Sequence, residues 1–256
     1  MSKLATLVLR AANPQRQTDF YRQVLGMSSQ GSGCVGYGGP EMAIRFVPGD
    51  AAYAPKPSDR YWKIAIAVPN IELAYDQLRA SGVAVSVPEQ FLDVGYLAHA
   101  YDPEGFCIEI IEHSFKGQRQ AAQGALGSGA AAQTNLLGGG PHLNLLTLRT
   151  SDIAPLQGQL IEAGMKPLSV QDVKPYGFTL YFFGFTDEAP PKAQLEALEN
   201  RTWLYRRRYT VLEIQHQPAL GPATHPTNRA AGYVGLELSQ CPQAIHIPEL
   251  AIRSVG

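Results

Sequence analysis

Three segments of this chain repeat one plan, in which an apolar strand runs into a short helix that ends at a glycine. They are Leu4–Met27, Trp62–Val83 and Leu143–Met165. Each helix begins at a side-chain oxygen and stops at a glycine flanked by apolar residues, as a short helix requires. A strand–helix unit cannot bury its apolar face alone, so the copies must pack against one another. The repeat therefore constrains the architecture before any motif is considered.

The remainder of each unit is rich in strand-forming residues. After the second helix come Gly95–Tyr101, the type I turn sequence Asp-Pro-Glu-Gly at 102–105, and Phe106–Glu112. After the third helix, Phe178–Phe185 and Thr210–His216 are rich in β-branched and aromatic residues. Each unit is therefore predicted to be β-α-β-β-β, and the fold class α+β.

Two of the predicted closing strands carry a carboxylate in their middle. Since side chains alternate along a strand, Glu109 shares a face with Cys107 and Ile111, and Glu213 shares one with Val211. A carboxylate on an apolar strand is costly unless it is paired, bound to a metal or faces a wet cavity. Both glutamates are therefore candidate functional residues.

The motifs TDFYRQVLGM (Thr18–Met27), IAVPNIELAYDQLRASGV (Ile66–Val83) and DPEGFCIEI (Asp102–Ile110) resemble the glyoxalase/bleomycin-resistance/extradiol-dioxygenase superfamily, the vicinal oxygen chelate fold. The stretch Phe178–His216 is similar to glyoxalase I, lactoylglutathione lyase. The resemblance implies tandem β-α-β-β-β units that form cups, in two glyoxalase-like domains of which the second is truncated.

In that family a cup encloses a divalent metal such as Zn²⁺ or Ni²⁺. Each unit supplies one ligand from its first strand and a glutamate from its last strand. By resemblance, Glu109 and Glu213 match the last-strand glutamates. The other positions that match ligands are occupied by Thr6, Arg45, Lys63, Leu145 and, for a fourth unit, Tyr233.

These replacements are poor metal ligands. Leucine cannot bind a metal and a lysine or arginine cation repels one, whereas Zn²⁺ and Ni²⁺ require neutral imidazole, thiolate or carboxylate. We therefore expect no standard metal site and no cofactor, with Glu109 and Glu213 as the alternative pair of metal ligands.

Three residues are candidates for catalysis. Glu109 is the candidate base, and His99, in the strand before the Asp-Pro-Glu-Gly turn, is a candidate base or polarising donor. Lys63 could replace the metal as the cation and pair with Glu109. A half-exposed structural histidine and an internal salt bridge that fills an inactive site explain the same residues.

Four residues are candidates for substrate binding. Arg149 and Arg229 match arginines that contact glutathione in glyoxalase I, and Gln217 replaces an asparagine that does so. Arg45 is a candidate for stabilising an oxyanion. The resemblance thus implies a small-molecule ligand, with a glutathione conjugate as one candidate.

Composition indicates an intracellular protein. The formal net charge of -1 argues against a polyanion such as nucleic acid as partner, and the chain contains no apolar run that could span a bilayer and no signal peptide. Three cysteines without a CxxC spacing do not indicate a disulfide framework. We expect a cytoplasmic protein, with a homodimer left open.

A segment rich in glycine and alanine, 117–140, is predicted to be a flexible or loosely helical linker. It divides the chain into a first domain, 1–116, with two complete units, and a second domain, 141–256, with one complete unit and a truncated one. The C-terminal residues after Gly232–Gln240 are predicted to supply neither a helix nor a closing strand.

Two arrangements of the cups remain open. Units one and two can pair, which surrounds one cavity with Thr6, Arg45, Lys63 and Glu109. Units two and three can pair instead, which places Lys63 and Glu109 beside Leu145 and Glu213. We favour the first arrangement, because a short connection joins units one and two.

The sequence supports two classes of function. One is a lyase or isomerase related to lactoylglutathione lyase, which acts on a small oxygenated or thiol-conjugated metabolite. The other is a binding protein that sequesters its ligand without catalysis, like the bleomycin-resistance proteins of this fold. The changed ligand positions favour binding, whereas the two retained glutamates favour some chemistry.

Overall fold

Two curved sheets define the architecture in a computed structural model, which describes residues 2–115, 136–226 and 229–255. One sheet has seven strands and the other has eight. Short helices pack on their outer faces, so the predicted α+β class is confirmed.

Unit one contains β1 (Lys3–Ala11), α1 (Pro14–Gln23), β2 (Ser28–Ser29), β3 (Cys34–Gly36) and β4 (Ala43–Pro48). Unit two contains β5 (Tyr61–Val68), α2 (Ile71–Ala80), β6 (Glu89–Phe91), β7 (Gly95–Tyr101) and β8 (Cys107–Glu112).

Unit three contains β9 (His142–Thr150), α3 (Ala154–Glu162), β10 (Lys166–Val173), β11 (Phe178–Gly184) and β12 (Val211–His216), with α4 (Leu198–Leu204) before β12. The C-terminal part contains β13 (Gly232–Ser239), β14 (His246–Ile247) and β15 (Ile252–Ser254).

The helix signals of the repeat are largely confirmed. Asn70 Oδ1 accepts a hydrogen bond from Leu73 N at 3.0 Å and so caps α2. Gly82 and Gly164 follow their helices with φ of 77° and 92°, a conformation that glycine adopts without strain. The third helix differs, because the Asp152 side chain bonds Ala154 N and the helix starts at that residue without a side-chain cap.

The pairing of the units differs from the arrangement that we favoured. The eight-stranded sheet joins units two and three, because β5 pairs antiparallel with β9. The seven-stranded sheet joins unit one to the C-terminal strands, because β1 pairs antiparallel with β13. The prediction that units one and two share a cup is therefore wrong. Antiparallel pairing of first strands depends on residues far apart in sequence, and the length of the connection does not determine it.

The truncated fourth unit is more complete than predicted. β15 runs parallel to β13 and so occupies the place of a last strand, and β14 pairs with it. The expectation that the C-terminal residues supply no closing strand is wrong. Three residues suffice, because Leu236↔Ile252 and its neighbours continue an apolar pair that is already buried.

Residues 117–135 of the predicted linker, 117–140, lie outside the described residues. Its end is described: Leu137–Gly139 form a 3-10 turn that packs against α2, where Gln77 Oε1 accepts from Gly138 N. The division into domains 1–116 and 141–256 stays a prediction, and both sheets contain strands from each side of it.

Alternation along β5 separates two cores. Ile64, Ile66 and Val68 face the helices in the larger core, whereas Ala65 and Ala67 face the inside of the cup. Small residues at the centre of the cup leave space above the strand. Among the described residues, no helix is long and apolar enough to cross a membrane.

Candidate functional site

The inside of the cup formed by units two and three contains a cavity of about 290 Å³. Its walls are apolar and aromatic, and its polar groups gather where β5, β8, β9 and β12 lie side by side. A concave apolar pocket with a few converging polar groups is the usual form of a ligand site. This polar cluster consists of Lys63, His99, Glu109 and Glu213, and Glu89 on β6 is a further polar residue of the lining.

Lys63 lies between the two glutamates. Its Nζ is 2.8 Å from Glu109 Oε1 and 3.6 Å from Glu213 Oε1. The three side chains are nearly inaccessible, at 4%, 6% and 3% exposed for Lys63, Glu109 and Glu213. The cost of burying each charge is therefore offset by an opposite charge in direct contact.

His99 is the accessible member of the group. Its Nε2 lies 3.3 Å from Glu109 Oε2, on the oxygen that Lys63 does not contact, and its side chain is 35% exposed. β7 positions it, because His99 pairs with Glu109 across the antiparallel β7–β8 ladder. Nε2 must carry a hydrogen to bond the carboxylate, so Nδ1 of the neutral ring is an acceptor.

The pKa values of the two glutamates shift in opposite directions. Burial alone would raise the pKa of Glu109, but the Lys63 charge and the contact with His99 outweigh it and lower that pKa to about 2. Burial and repulsion from Glu109 raise the pKa of Glu213, although Lys63 and the Thr147 hydroxyl, 2.7 Å from Glu213 Oε1, oppose the rise. Burial lowers the pKa of Lys63, yet the two carboxylates reverse this and raise it. Both predicted neighbours of Glu109, a cation and Glu213, are thus present.

The register explains why these groups meet. Lys63 on β5 is opposite Thr147 on β9, while Glu109 and Glu213 flank this central pair on β8 and β12. Leu145, on the same cup face, contributes only an apolar side chain to the cavity.

The residues do not fit the divalent metal that the resemblance implies. An ammonium, which is itself a cation, occupies the space between the two carboxylates that would bind a metal. The described ranges contain no group of three or more His, Cys, Asp or Glu residues that could hold a metal ion. Lys63 supplies the positive charge there instead.

Arg149 lies behind the cavity wall. Its guanidinium is 5.2 Å from the Trp62 ring centroid, and its Nε donates to Gln215 Oε1 at 3.0 Å. The same guanidinium contacts the backbone carbonyls of Lys56 and Asp59. Arg149 thus joins the start of β5 to β9, and it does not line the cavity.

The other predicted binding residues are dispersed. Arg45 pairs with Glu237 at 2.8 Å in the other cup, and Arg229 pairs with Asp50 at 2.8 Å on the surface. Gln217 follows β12 and its backbone N bonds Thr150 O. The cavity that contains Glu109 is lined by none of the four candidate binding residues, Arg45, Arg149, Arg229 and Gln217.

Tyr233 does not occupy the predicted ligand position of the fourth unit. It pairs with Leu9 and is buried, and its hydroxyl donates to Leu250 O at 2.6 Å. The residue opposite Thr6 is Glu237.

Sequence reasoning missed the aromatic walls. Trp62, Phe178 and Tyr205 line the cavity, and Phe91 from unit two contacts Tyr176 from unit three at its mouth, with ring centroids 5.1 Å apart. Strict alternation would place Trp62 on the face of β5 that points away from the cavity, because Lys63 faces the cavity. A register irregularity between Tyr61 and Lys63 brings both to the cavity, which the sequence does not signal.

Comparison with known proteins finds solved structures of the same fold. Residues 3–110 match the family model described as Glyoxalase/Bleomycin resistance protein/Dioxygenase superfamily. Glyoxalase I from Zea mays has the same fold, with a TM-score of 0.62, 17% identity, and coverage of 93% of this chain and 74% of that one. A protein from Bacillus subtilis whose structure is described as that of an inferred dioxygenase has a TM-score of 0.51 and 16% identity. The match covers 93% of this chain and 69% of that one. No curated protein sequence matches the chain.

The match to the glyoxalase/bleomycin resistance protein/dioxygenase superfamily thus lies in residues 3–110, which are less than half of the chain. At 17% identity the likeness to glyoxalase I shows the fold, over 93% of this chain, and not the activity.

Proposed function

We propose that the cup of units two and three binds a small, mainly apolar oxygenated molecule without a metal. The observation that carries this proposal is the Lys63 ammonium between Glu109 and Glu213, which pairs with both carboxylates under an aromatic cavity. The protein then acts as a ligand-binding or sequestering protein, the function for which bleomycin-resistance proteins use this fold.

The charges at the cavity disfavour a glutathione conjugate. Among the described residues that line it, Lys63 is the one lysine or arginine, and both glutamates already engage it. Glu89 adds a further carboxylate to the lining. A ligand with free carboxylates would meet no available cation, whereas an uncharged ring can pack on Trp62 and Phe178. A hydroxyl group of the ligand would then donate a hydrogen bond to His99 Nδ1.

The experiment uses 1-naphthol, a neutral aromatic alcohol, in equilibrium dialysis with the full chain. We expect saturable binding that Trp62→Leu weakens about 3- to 10-fold, the scale of one lost aromatic contact. Trp203→Leu is the matched control, since Trp203 stacks on Arg207 and does not line the cavity. Equal weakening by both variants, with unchanged melting temperatures, would contradict the proposed site.

A second candidate is proton transfer on the bound molecule, because His99 and Glu109 form an accessible base with a buried carboxylate partner. His99 Nδ1 would take the proton, and Glu109 would stabilise the resulting imidazolium. The test follows S-lactoylglutathione formation from the hemithioacetal of methylglyoxal and glutathione. Activity that His99→Gln abolishes, with folding intact, would favour a lyase; no product above the uncatalysed rate would leave binding as the function.

A further inference from the structure

The second cup, formed by unit one and β13–β15, repeats the register of the first. In each cup two first strands pair antiparallel at the centre, and a last strand runs parallel beside each of them. The facing pair Lys63↔Thr147 of the first cup corresponds to Thr6↔Glu237 in the second. Equivalent side chains of the two cups can therefore be compared directly.

The charges at these positions are inverted. In the first cup, Glu109 pairs in register with Ala65, which lies two residues after Lys63 on β5. In the second cup, Arg45 pairs with Val8, which lies two residues after Thr6 on β1. On the other side, Glu213 pairs with Thr147 as Arg253 pairs with Glu237. The first cup has one cation between two carboxylates, and the second has one carboxylate between two guanidinium groups.

The distances show a real cluster and not only a register match. Glu237 Oε1 is 2.8 Å from Arg45 and 3.1 Å from Arg253. The Glu237 side chain is 9% exposed, whereas Arg45 and Arg253 are 30% and 66% exposed. Each guanidinium has five N–H donors, and a single carboxylate oxygen takes one from each. Donors and a net positive charge thus remain at the cup.

Arg45 also lines a cavity of about 340 Å³ between β1, β4 and the 30–43 segment. Lys3 adds a second cation to this cavity, and Thr6, Gln30 and Ser32 add polar side chains. Gly31 and Gly39 have φ of 79° and 66°, and a Cβ at either would meet no atom within 4 Å, so the backbone of this wall is open to a ligand. Glu41 is the opposing charge there, and Leu143 N engages one of its oxygens at 2.7 Å.

We propose that the second cup is an anion site, which takes a small ligand that carries a carboxylate or a phosphate on the guanidinium of Arg45. The planar guanidinium fork matches either group, and Lys3 provides a point charge at the same cavity. This site is separate from the aromatic cavity of the first cup. Its ligand is an anion, whereas the ligand proposed for the first cup is uncharged and mainly apolar.

Titration calorimetry of the full chain with inorganic phosphate, and separately with acetate, tests the site at constant ionic strength in chloride. We expect saturable binding of at least one of the two anions, which distinguishes the phosphate from the carboxylate class. Arg45→Gln should weaken it about tenfold, the value of one charge-assisted pair.

Two further variants keep the result interpretable. Lys3→Gln leaves the Arg45–Glu237 pair intact and should weaken binding about threefold, so it decides the matter if Arg45→Gln misfolds. Lys174→Gln removes an exposed cation outside both cavities and should leave binding unchanged. No saturable heat with either anion, or equal weakening by Lys174→Gln, would overturn the proposal.

Discussion

The carboxylate of Glu109 meets the ammonium of Lys63 at 2.8 Å inside the cup, where β5 and β8 run side by side. The pair is buried, and His99 contacts the other carboxylate oxygen. Its charge balance determines what this cup can bind and how its stability depends on pH.

Metal content is the first consequence of this pair. Because Lys63 occupies the space between Glu109 and Glu213, we expect far less than one equivalent of Zn²⁺ or Ni²⁺ after purification without chelator, measured by mass spectrometry. Lys63→His removes the ammonium and adds an imidazole beside two carboxylates, so metal binding should increase. Near-stoichiometric metal in the unmodified chain that disappears in Glu109→Ala would contradict this and favour the lyase.

Stability should fall when Glu109 loses its charge. Glu109→Gln leaves Lys63 buried with only Glu213 at 3.6 Å, and we expect a loss of about 2–4 kcal/mol in the free energy of unfolding at pH 7. Chemical denaturation measures it. A variant more stable than the unmodified chain would show that repulsion between the two carboxylates outweighs the pairing.

The same pair sets a pH dependence. The folded pKa of Glu109, about 2, lies below its unfolded value of about 4.3, so its contribution is present above the unfolded pKa and lost as pH falls towards 2. The difference in unfolding free energy between the unmodified chain and Glu109→Gln should therefore shrink between about pH 4.3 and 2. A difference that is constant over this range would contradict the assignment.

Glu213 should behave in the opposite way. Its folded pKa is raised, so its contribution is present below the unfolded pKa and lost as pH rises through the folded value. Glu213→Gln keeps an oxygen that can accept from Thr147 and removes the repulsion with Glu109. We expect the Glu213→Gln variant to be at least as stable as the unmodified chain at pH 8. Its stability relative to the unmodified chain should be lower at pH 4 than at pH 8. Thermal melts of both proteins across this range check the sign.

Arg149 should affect stability more than ligand binding. Its contacts with Gln215 and the backbone carbonyls of Lys56 and Asp59 hold the start of β5 to β9. Arg149→Ala should lower the free energy of unfolding by about 1–3 kcal/mol, since several partners are left unsatisfied. Arg229→Ala, which removes an exposed pair with Asp50, should change it by less than about 1 kcal/mol. Calorimetric binding of S-hexylglutathione that only Arg149→Ala abolishes would restore the glutathione interpretation.

The sequence predicted the local parts of the fold well. The side-chain caps of α1 and α2, the glycines that follow the helices, and the strand Gly95–Tyr101 depend on neighbours in the chain and appear as expected. The predicted turn at 102–105 also forms, with Gly105 N donating to Asp102 O at 3.1 Å. Its acidic residues do more than turn the chain, because Glu104 accepts from Ala12 N and Asn13 N and so joins β8 to unit one.

The non-local parts could not be predicted. The pairing of the first strands depends on long-range packing. The predicted contact between Lys63 and Glu109 is therefore correct, whereas the prediction that units one and two share the cup is wrong. The same limit explains why Arg45 was assigned to the wrong cavity and why Trp62, turned by a register irregularity, was missed. Periodicity gives the face of a strand and not the strand beside it.

The order of strands in the second cup has a consequence for synthesis of the chain. β1 pairs with β13, whereas β5 and β9 of the first cup lie between them in sequence. Since distant contacts close slowly, we expect pulse-labelled hydrogen exchange to show β5 and β9 protected before β1 during refolding. Simultaneous protection of all three strands would contradict this order. Until β13 leaves the ribosome, one edge of β1 has no partner strand, so the emerging first unit has an open sheet edge that can pair with other chains.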